Sequence, residues 1–427
     1  MALEIDEKII RFIIWTLYFV GLYFALFWLS VLFFDNNENK KIKKKNVKES
    51  ITIILPMYNE QDSIKETLKS VFDSDYPKNL LKVICVNDGS TDNTLKILKE
   101  LNKKYDFILI NQKNQGKYMA LNNALKYVDT KYFACLDADS FIEKDSISNI
   151  LKEFDEKDIV AVTSVMKVYK PENLLQKVQW LEYIINIYYK YIMGKLDCIH
   201  VTPGPLSVYD TKIIKELGGF KKAHLTEDLE MALRLQNNNY KIKQSLSGTV
   251  YTKTPKKLKA FINQRTRWYH GTVLNIKDYK HFIFNKKYED FGIFHIPLVG
   301  VTGFLSVLGV STAIYLSIKN IYHWIKRMYL TNFDFITYIS NMSFNFNILD
   351  YNWRTIFSTI VLLGLTFFLI YLSFIETKER VGILKNIKYF FTFLYFFIIY
   401  RFIIAYIWVK VLLKLIFKKS NRWDKVN

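Results

Sequence analysis

The chain is poor in the residues that staple or stiffen small domains. Three cysteines occur in 427 residues. Cys85, Cys135 and Cys198 are odd in number and scattered, which excludes a disulfide scaffold or a zinc site and fits a reduced cytoplasm. No His-rich tract is present, and His200, His224 and His270 read as structural. There is no GxGxxG after the first β-like run and no GxxxxGK[ST] anywhere, so neither a dinucleotide fold nor a P-loop ATPase is indicated. No catalytic cysteine or covalent nucleophile stands out.

Apolar residues and positive charge are abundant. Half the residues are hydrophobic, 16% are aromatic, and the formal charge is +20. The apolar residues concentrate at the two ends. Ile9 to Phe34 is broken only by Arg11 and is long enough for a hydrocarbon core that needs about 20 helical residues. No small-residue cleavage site follows, so the run reads as a retained anchor. Lys40, Lys41, Lys43, Lys44, Lys45 and Lys48 come next, and the positive-inside rule keeps them in the cytoplasm with the short acidic N-terminus outside. Much of the positive excess flanks apolar spans, where it orients the protein on a lipid bilayer, so nucleic acid is not an expected partner.

Phe291 to Ile318 and Ile356 to Ile375 read as further spans, with Tyr389 to Ile416 as a third C-terminal apolar stretch. Arg401, Lys410 and Lys414 interrupt that stretch, and three single crossings would put the basic tail outside, so its crossing count stays open. A guanidinium within a span is costly, and Arg401 points to a polar passage through the bundle.

The middle of the chain has the pattern of a soluble domain. Ser50 to Leu55, stopped by Pro56, and Leu81 to Val86, stopped by Asn87-Asp88-Gly89, read as strands around a helix capped by Asp62. Thr91 to Lys104 and Lys117 to Val128 add helices, with a strand at Phe107 to Asn111. This alternation predicts an α/β fold with a parallel, doubly wound sheet that binds a nucleotide at its strand ends. Asp88 can accept a bond from a ring N–H and Tyr58 can stack on a base, although both loops also carry turn chemistry.

Everything is arranged around Tyr132 to Phe141, YFACLDADSF, where an apolar run ends in Asp137 and Asp139. Two carboxylates leaving a buried strand suit a divalent cation carrying a diphosphate, and they equally suit the cap of a following helix. Farther on, Ile159 to Val168 is a strand and Glu172 to Met193 a long helix. Pro203, Gly204 and Pro205 force a rigid, close-approach backbone. After a turn at Leu217 to Phe220, His224 to Asn237 is a helix with Thr226 at its N-cap and Glu227 and Asp228 at the positive end of its dipole. Asp228 there is placed both to favour the helix and to serve as a general base. Lys256 to Tyr288 is basic, aromatic and amphipathic, as in segments lying at a membrane interface, and contains Gln264-Arg265-Thr266-Arg267-Trp268.

Pro56 to Glu60, Asp88 to Asp92, Gly116-Lys117 with Ala120-Leu121-Asn122, Asp137/Asp139, Thr226 to Asp228 and Gln264 to Trp268 together resemble membrane-embedded family 2 glycosyltransferases. That group includes the hyaluronan, chitin, cellulose and poly-N-acetylglucosamine synthases, and the pieces occur in its order over roughly Ser50 to Trp268. The resemblance implies a GT-A domain, the Rossmann-like fold of nucleotide-diphosphosugar transferases, in the cytoplasm of a multi-pass membrane protein. The corresponding divisions are an anchor at 1–36, the catalytic domain at 50–255, interface helices at 256–290, membrane helices at 291–417 and a basic cytosolic tail at 418–427.

It further implies that Asp88 binds uracil with Pro56, Tyr58 and Glu60 around the base. Asp137 and Asp139 would take the phosphates and Mg²⁺ or Mn²⁺, with Lys117, Gln264 and Arg267 also on the donor. Asp228, with Glu227 beside it, would remove the acceptor proton. Trp268, Gly204 and Pro205 would meet the acceptor. The expected activity is inverting, processive transfer from a UDP-sugar, with UDP-N-acetylglucosamine preferred, to a growing polysaccharide that is exported. A single transfer to a lipid-linked acceptor is the first alternative, and a nucleotide-sensing transporter a distant second. Processive relatives often carry a C-terminal gating segment, for which Arg422-Trp423-Asp424-Lys425 is available here.

Overall fold

The computed structural model describes residues 2–34, 48–336, 353–379 and 387–418. The lysines at 40–45 and the segment 422–425 lie outside them. In chain order the elements are α1 (Ala2–Phe34), β1 (Ile51–Met57), α2 (Ile64–Phe72), β2 (Leu81–Asp88), α3 (Thr94–Leu101), β3 (Ile108–Gln112), α4 (Lys117–Leu125), β4 (Tyr132–Cys135), β5 (Ser140–Ile142), α5 (Ser146–Leu151) and β6 (Ile159–Val168). Then follow α6 (Leu174–Lys195), β7 (Ser207–Asp210), α7 (Thr211–Glu216), α8 (Glu227–Asn237), β8 (Lys241–Thr252) and α9 (Leu258–Asp278). The C-terminal part holds α10 (Ile296–Leu330), α11 (Trp353–Glu376), α12 (Ile387–Phe397) and α13 (Ile399–Ile416).

β1 is buried along its whole length because helices cover both of its faces. Ile51, Ile53, Leu55 and Met57 pack on one side with Leu68, Leu98 and Ile150, while Ile54 points to the other with Ala120, Leu121 and Met231. This is the period-two alternation of a strand between two layers.

The sheet has eight strands in the order β3-β2-β1-β4-β7-β6-β8-β5. The β3-β2-β1-β4 half has the expected parallel form, and β6 and β8 are also parallel to each other. β7 runs antiparallel to β4 and β6, and β5 runs antiparallel to β8, so the sheet is mixed. β5 and β8 have no counterpart in the sequence reading, since three residues and a Gly-interrupted run give weak periodicity. The carboxylates of Asp137 and Asp139 are therefore followed by a short strand rather than by a helix.

The chain leaves β1 toward β2 and β3, then returns to place β4 on the opposite side of β1. That reversal opens a crevice at the carboxyl ends of β1 and β4, where ligands collect in α/β sheets. Pro56 lies within β1 rather than ending it. β4 pairs with β1 only as far as Ile54, so the missing proline N–H lies beyond that ladder. Ser63, not Asp62, precedes α2, and its hydroxyl donates to Glu60 Oε2 at 2.8 Å instead of capping.

Among the described residues four helices are long and apolar enough to cross a membrane: Lys8–Val31, Phe291–Leu330, Trp353–Glu376 and Phe391–Ile416. Their outward faces carry bare hydrophobic side chains such as Phe304, Phe357, Ile360 and Ile416, the surface a membrane protein turns to lipid. The last span is broken at Ile398 between α12 and α13. Arg401 follows the break with its guanidinium 5.0 Å from the centre of the Phe396 ring.

The membrane helices and the sheet domain meet through α6 and α9. Val178, Leu181 and Ile184 of α6 and Phe261 of α9 pack on Phe374, Tyr400, Ile407 and Trp408. Phe261 and Tyr269 of the amphipathic segment thus rest on protein, Tyr269 stacking on Trp408 at 4.8 Å. Lys167 at the end of β6 pairs with Glu379 at 3.0 Å and adds a polar tie across the same junction.

Candidate active site

The loops after β1 and β2 are sewn together. Asn59 is left-handed (φ 57°), and its N–H donates to Ser90 Oγ at 3.0 Å while its Oδ1 accepts from the Thr91 N–H at 2.8 Å. The Glu60 N–H donates to Thr94 Oγ1 at 2.8 Å. Pro56, Tyr58 and Glu60 consequently border one rigid rim, with Tyr58 half-buried.

Asp88 is 4% exposed at the end of β2. Its Oδ1 accepts from Gln112 Nε2 at 2.7 Å and the Gln115 N–H at 2.9 Å, and its Oδ2 from the Gly116 N–H at 2.9 Å. A carboxylate has about four acceptor sites, so one remains on Oδ2. Gln112 and Gln115 escape sequence reasoning because polar loop residues carry no periodic signal.

The loop that Asp88 holds delivers Lys117, the first residue of α4, into the β1/β4 crevice. Lys117 Nζ lies 2.6 Å from Asp137 Oδ1 and 3.4 Å from Glu227 Oε1, joining three elements far apart in sequence. Asp137, Glu227 and Asp228 hold its ammonium well above the usual lysine range, although burial alone would lower it. Asp139 sits in the same β4–β5 turn, where Ser140 Oγ donates to its Oδ1 at 3.2 Å. Among the described residues no group of three or more His, Cys, Asp or Glu side chains could hold a metal ion without further donors.

Gly204 closes this cluster from the β7 side. A methyl at its Cα would come within 2.5 Å of Lys117 Nζ and 2.6 Å of both Asp137 carboxylate oxygens, so only a bare backbone fits. Pro205 accepts Ser164 Oγ–H on its carbonyl at 2.8 Å, fixing the turn. We expect Gly204→Ala to fold, because the first atom to yield is the end of a flexible lysine. It should lower turnover on the order of 10²-fold, the cost of about 1 Å of misplacement. Melting temperature measured beside turnover separates the two effects.

Glu227 and Asp228 open α8 behind a strained turn. Ala223, His224 and Leu225 all have positive φ (39°, 53° and 68°), a conformation that persists only when surroundings enforce it. α9 supplies the enforcement. Arg267 Nη1 donates to Leu225 O at 2.8 Å, and Asn275 Nδ2 donates to Thr226 Oγ1 at 2.8 Å. Thr226 occupies the N-cap position without a side-chain cap bond, its hydroxyl donating instead to Ala223 O at 3.1 Å. At Gly271 an added methyl would lie 2.5 Å from Thr226 Oγ1, so this glycine sets how closely α9 approaches.

Asp228 Oδ1 accepts the Leu229 N–H at 2.9 Å. Burial, reinforced by the adjacent Glu227, pushes the Asp228 carboxyl up to about 6, against the opposing pull of Lys117 and Arg267. A carboxylate in that range is ionised at neutral pH yet basic enough to take a proton.

Arg265, the second residue of the QRTRW run, is 2% exposed and pairs with Glu182 of α6 at 2.6 Å. Its guanidinium lies 4.1 Å from the Trp268 ring centre and so covers one face of the indole. Gln264 Oε1 is buried with no hydrogen bond. Arg265→Met would leave Glu182 with its charge uncompensated. We expect a loss of about 3–5 kcal/mol, read as a fall in melting temperature.

Of the histidines, His224 Nε2 lies 2.8 Å from Asp278 Oδ2, His200 Nδ1 lies 2.7 Å from His295 Nε2, and His270 is 2% exposed.

An eight-stranded mixed sheet with acids gathered at the switch point between β1 and β4 defines a GT-A-like α/β fold joined to membrane helices. Residues 52–218 match the model of glycosyl transferase family 2. The chain is 29% identical over 266 residues to the poly-beta-1,6-N-acetyl-D-glucosamine synthase of Staphylococcus epidermidis, an alignment covering 60% of this chain and 64% of that protein. Identity and coverage are the same for the synthase of Staphylococcus aureus strain MSSA476. The chain thus spans somewhat less than two thirds of these relatives. Its fold matches the mannosyltransferase PcManGT of Pyrobaculum calidifontis, solved with GDP-Man and Mn²⁺, with a TM-score of 0.64 at 16% identity, covering 97% of this chain and 99% of that one.

Proposed function

We propose that this protein is an inverting glycosyltransferase that moves a sugar, N-acetylglucosamine, from its UDP donor to a growing polysaccharide, processively and with export across the membrane. The observation that carries the reading is Asp228, a carboxylate raised to about 6 beside the Lys117–Asp137 pair at the sheet's switch point. The resemblance to poly-N-acetylglucosamine synthases supports the choice of sugar.

In this reading the acceptor hydroxyl attacks the anomeric carbon from the face opposite the diphosphate. Asp228 takes the hydroxyl proton, the new C–O bond forms, and the bond to UDP breaks with inversion. The remaining acceptor site on Asp88 Oδ2 takes the uracil N–H, with Pro56 and Tyr58 against the ring and Glu60 bracing the rim. Lys117 and Arg267 face the diphosphate, where cations stabilise a departing anion. Gln264 Oε1, lacking a donor, suits a sugar hydroxyl, and the uncovered face of Trp268 suits the acceptor sugar beside Gly204 and Pro205.

Asp137 and Asp139 supply two hard oxygens, a set that fits Mg²⁺ or Mn²⁺ when diphosphate and water complete the shell. Such an ion, when bound, offsets negative charge on the leaving UDP. The divisions 50–255 as catalytic domain and 256–290 as interface helices follow from the same reading. A cytoplasmic catalytic domain belongs to the same reading, supported by the lysine-rich segment after the first span.

The test supplies purified protein in lipid with Mn²⁺ or Mg²⁺ and radiolabelled UDP-N-acetylglucosamine or UDP-glucose, then sizes the product. A high-molecular-weight polymer absent from an Asp228→Asn control establishes the synthase and its sugar. Label confined to a lipid-sized product rejects processivity, and no transfer with no UDP release rejects the enzyme.

A further inference from the structure

α9 holds a cation that the proposed transfer does not use. Phe261, Arg265 and Trp268 follow one another at spacings of four and three, so they share one stripe of the helix. The Arg265 guanidinium lies within this stripe, 4.1 Å from the Trp268 ring centre, 5.1 Å from that of Phe261 and 5.7 Å from that of Tyr183 on α6. Glu182, the neighbour of Tyr183, holds it through a 2.6 Å ion pair. Three rings and one carboxylate, drawn from two helices, thus fix a guanidinium that is 2% exposed.

As a support for the fold, this pair is poorly built. A guanidinium carries five N–H donors. Arg265 donates to Glu182 through Nη2, while its Nε is buried with no hydrogen-bond partner among the described residues. A buried ion pair offsets the cost of leaving water only when further hydrogen bonds satisfy both charges, and apolar residues of similar volume often serve stability as well. What the guanidinium does cover is a face of Trp268, and a flat cation stacks on an indole more firmly than on the other aromatic rings. Trp268 is half-buried. One turn farther along the same side of α9, Gly271 faces Thr226 at the start of α8, and Arg267 reaches Leu225 O in the turn before it. The indole therefore stands one turn from the contact between α9 and the turn that presents Asp228.

We propose that Arg265, held by Glu182, is a positioning residue for the acceptor: it fixes the Trp268 indole and leaves only the opposite ring face to the sugar that receives the transferred unit. An indole free to turn could offer either face, and the acceptor hydroxyl would then meet Asp228 in more than one pose. Clamping one face selects one pose and lowers the ordering cost at binding. The Glu182 half of the clamp belongs to α6, whose Leu181 and Ile184 pack on the membrane helices, so the acceptor platform is tied to the helix that joins the two parts of the protein. This rests on Trp268 meeting the acceptor in the proposed glycosyltransferase.

The test uses the full chain in lipid nanodiscs, labelled with fluorotryptophan, with a soluble N-acetylglucosamine oligosaccharide as acceptor and UDP-N-acetylglucosamine as donor. Trp268→Phe assigns the Trp268 fluorine resonance. Arg265→Met alone strands Glu182 and melts early. The informative variants are therefore Arg265→Lys, which keeps the charge but not the flat stack, and Glu182→Met/Arg265→Met, which removes the pair at similar volume. The expected result is a double variant that melts near the wild type while its acceptor KM rises about 10-fold, the scale of one stacking contact, and its donor KM holds. Arg265→Lys should show the same rise. In both, the Trp268 resonance should broaden and lose its shift with oligosaccharide. Wild-type acceptor KM and an unchanged Trp268 resonance in either variant would make the pair a structural support and overturn the proposal. If sugar transfer persists in that case, the enzymatic reading stands alone. An oligosaccharide response at Trp268 that depends on Arg265, without transfer or UDP release in the wild type, keeps the positioning role and overturns the enzymatic reading.

Discussion

Replacing Asp228, the proposed base, by Asn is expected to lower sugar transfer by about 10²–10⁴-fold, the range a positioned general base supplies. The substitution keeps the shape and the bond from the Leu229 N–H but cannot accept the hydroxyl proton. Donor affinity should hold, because Lys117 and Asp137 remain paired at 2.6 Å. The pH profile gives a second readout. Wild-type kcat/KM should rise through about pH 6 and then level off, because the carboxylate raised to about 6 must be ionised to act. The Asn variant should lose that limb.

Stability should move the opposite way. A carboxyl raised from 3.8 to about 6 favours the protonated form in the fold, so ionising it penalises the native state. The penalty is absent below about pH 4 and complete above about pH 6. Asp228→Asn should therefore raise stability by roughly 1–3 kcal/mol at pH 7–8, with no gain at pH 4. A melting temperature that falls at neutral pH would mean that the carboxylate is held by attraction rather than strained by burial.

Replacing Asp137 by Asn will lower transfer by about 10²-fold or more, the scale of removing one group aimed at developing charge. The change removes the partner of Lys117 at 2.6 Å and leaves that ammonium to swing toward Glu227, now 3.4 Å away. It also removes one of two hard oxygens in the β4–β5 turn. Electron paramagnetic resonance of added Mn²⁺ with UDP should show a bound signal in wild type that weakens in Asp137→Asn and in Asp139→Asn. Chelation should abolish wild-type transfer, and Mn²⁺ should restore it. Undiminished Mn²⁺ binding in both variants would move the ion to other donors.

Much of the architecture is legible in local pattern. Ile159 to Val168 reads as a strand because its β-branched residues alternate between two buried faces, and the α6 start is marked by Asn173 and Gln176, which form a reciprocal cap. The two acids after Tyr132 to Cys135 are visible because charge interrupts an apolar run. β8 is hidden because irregularities in its register with β6 break the period-two signal. The direction of β7, which makes the sheet mixed, depends on pairing Tyr132 with Asp210, a contact no local pattern encodes. Arg265 is written inside a recognisable run, but its burial against Glu182 and Trp268 depends on how α9 meets α6.

The sequence by itself determined the class of fold, the apolar runs long enough to span a membrane, and the acids and bases available for chemistry, since these follow from residue type and spacing. Only the tertiary structure decided which charges meet. Lys117 reaches Asp137 and Glu227 across the switch point, Arg267 donates to Leu225 O in the strained turn before α8, and Arg265 is paired with Glu182 of α6. The reason is physical: the energy of a charge depends on its distance from other charges and on the water around it, and chain spacing specifies neither.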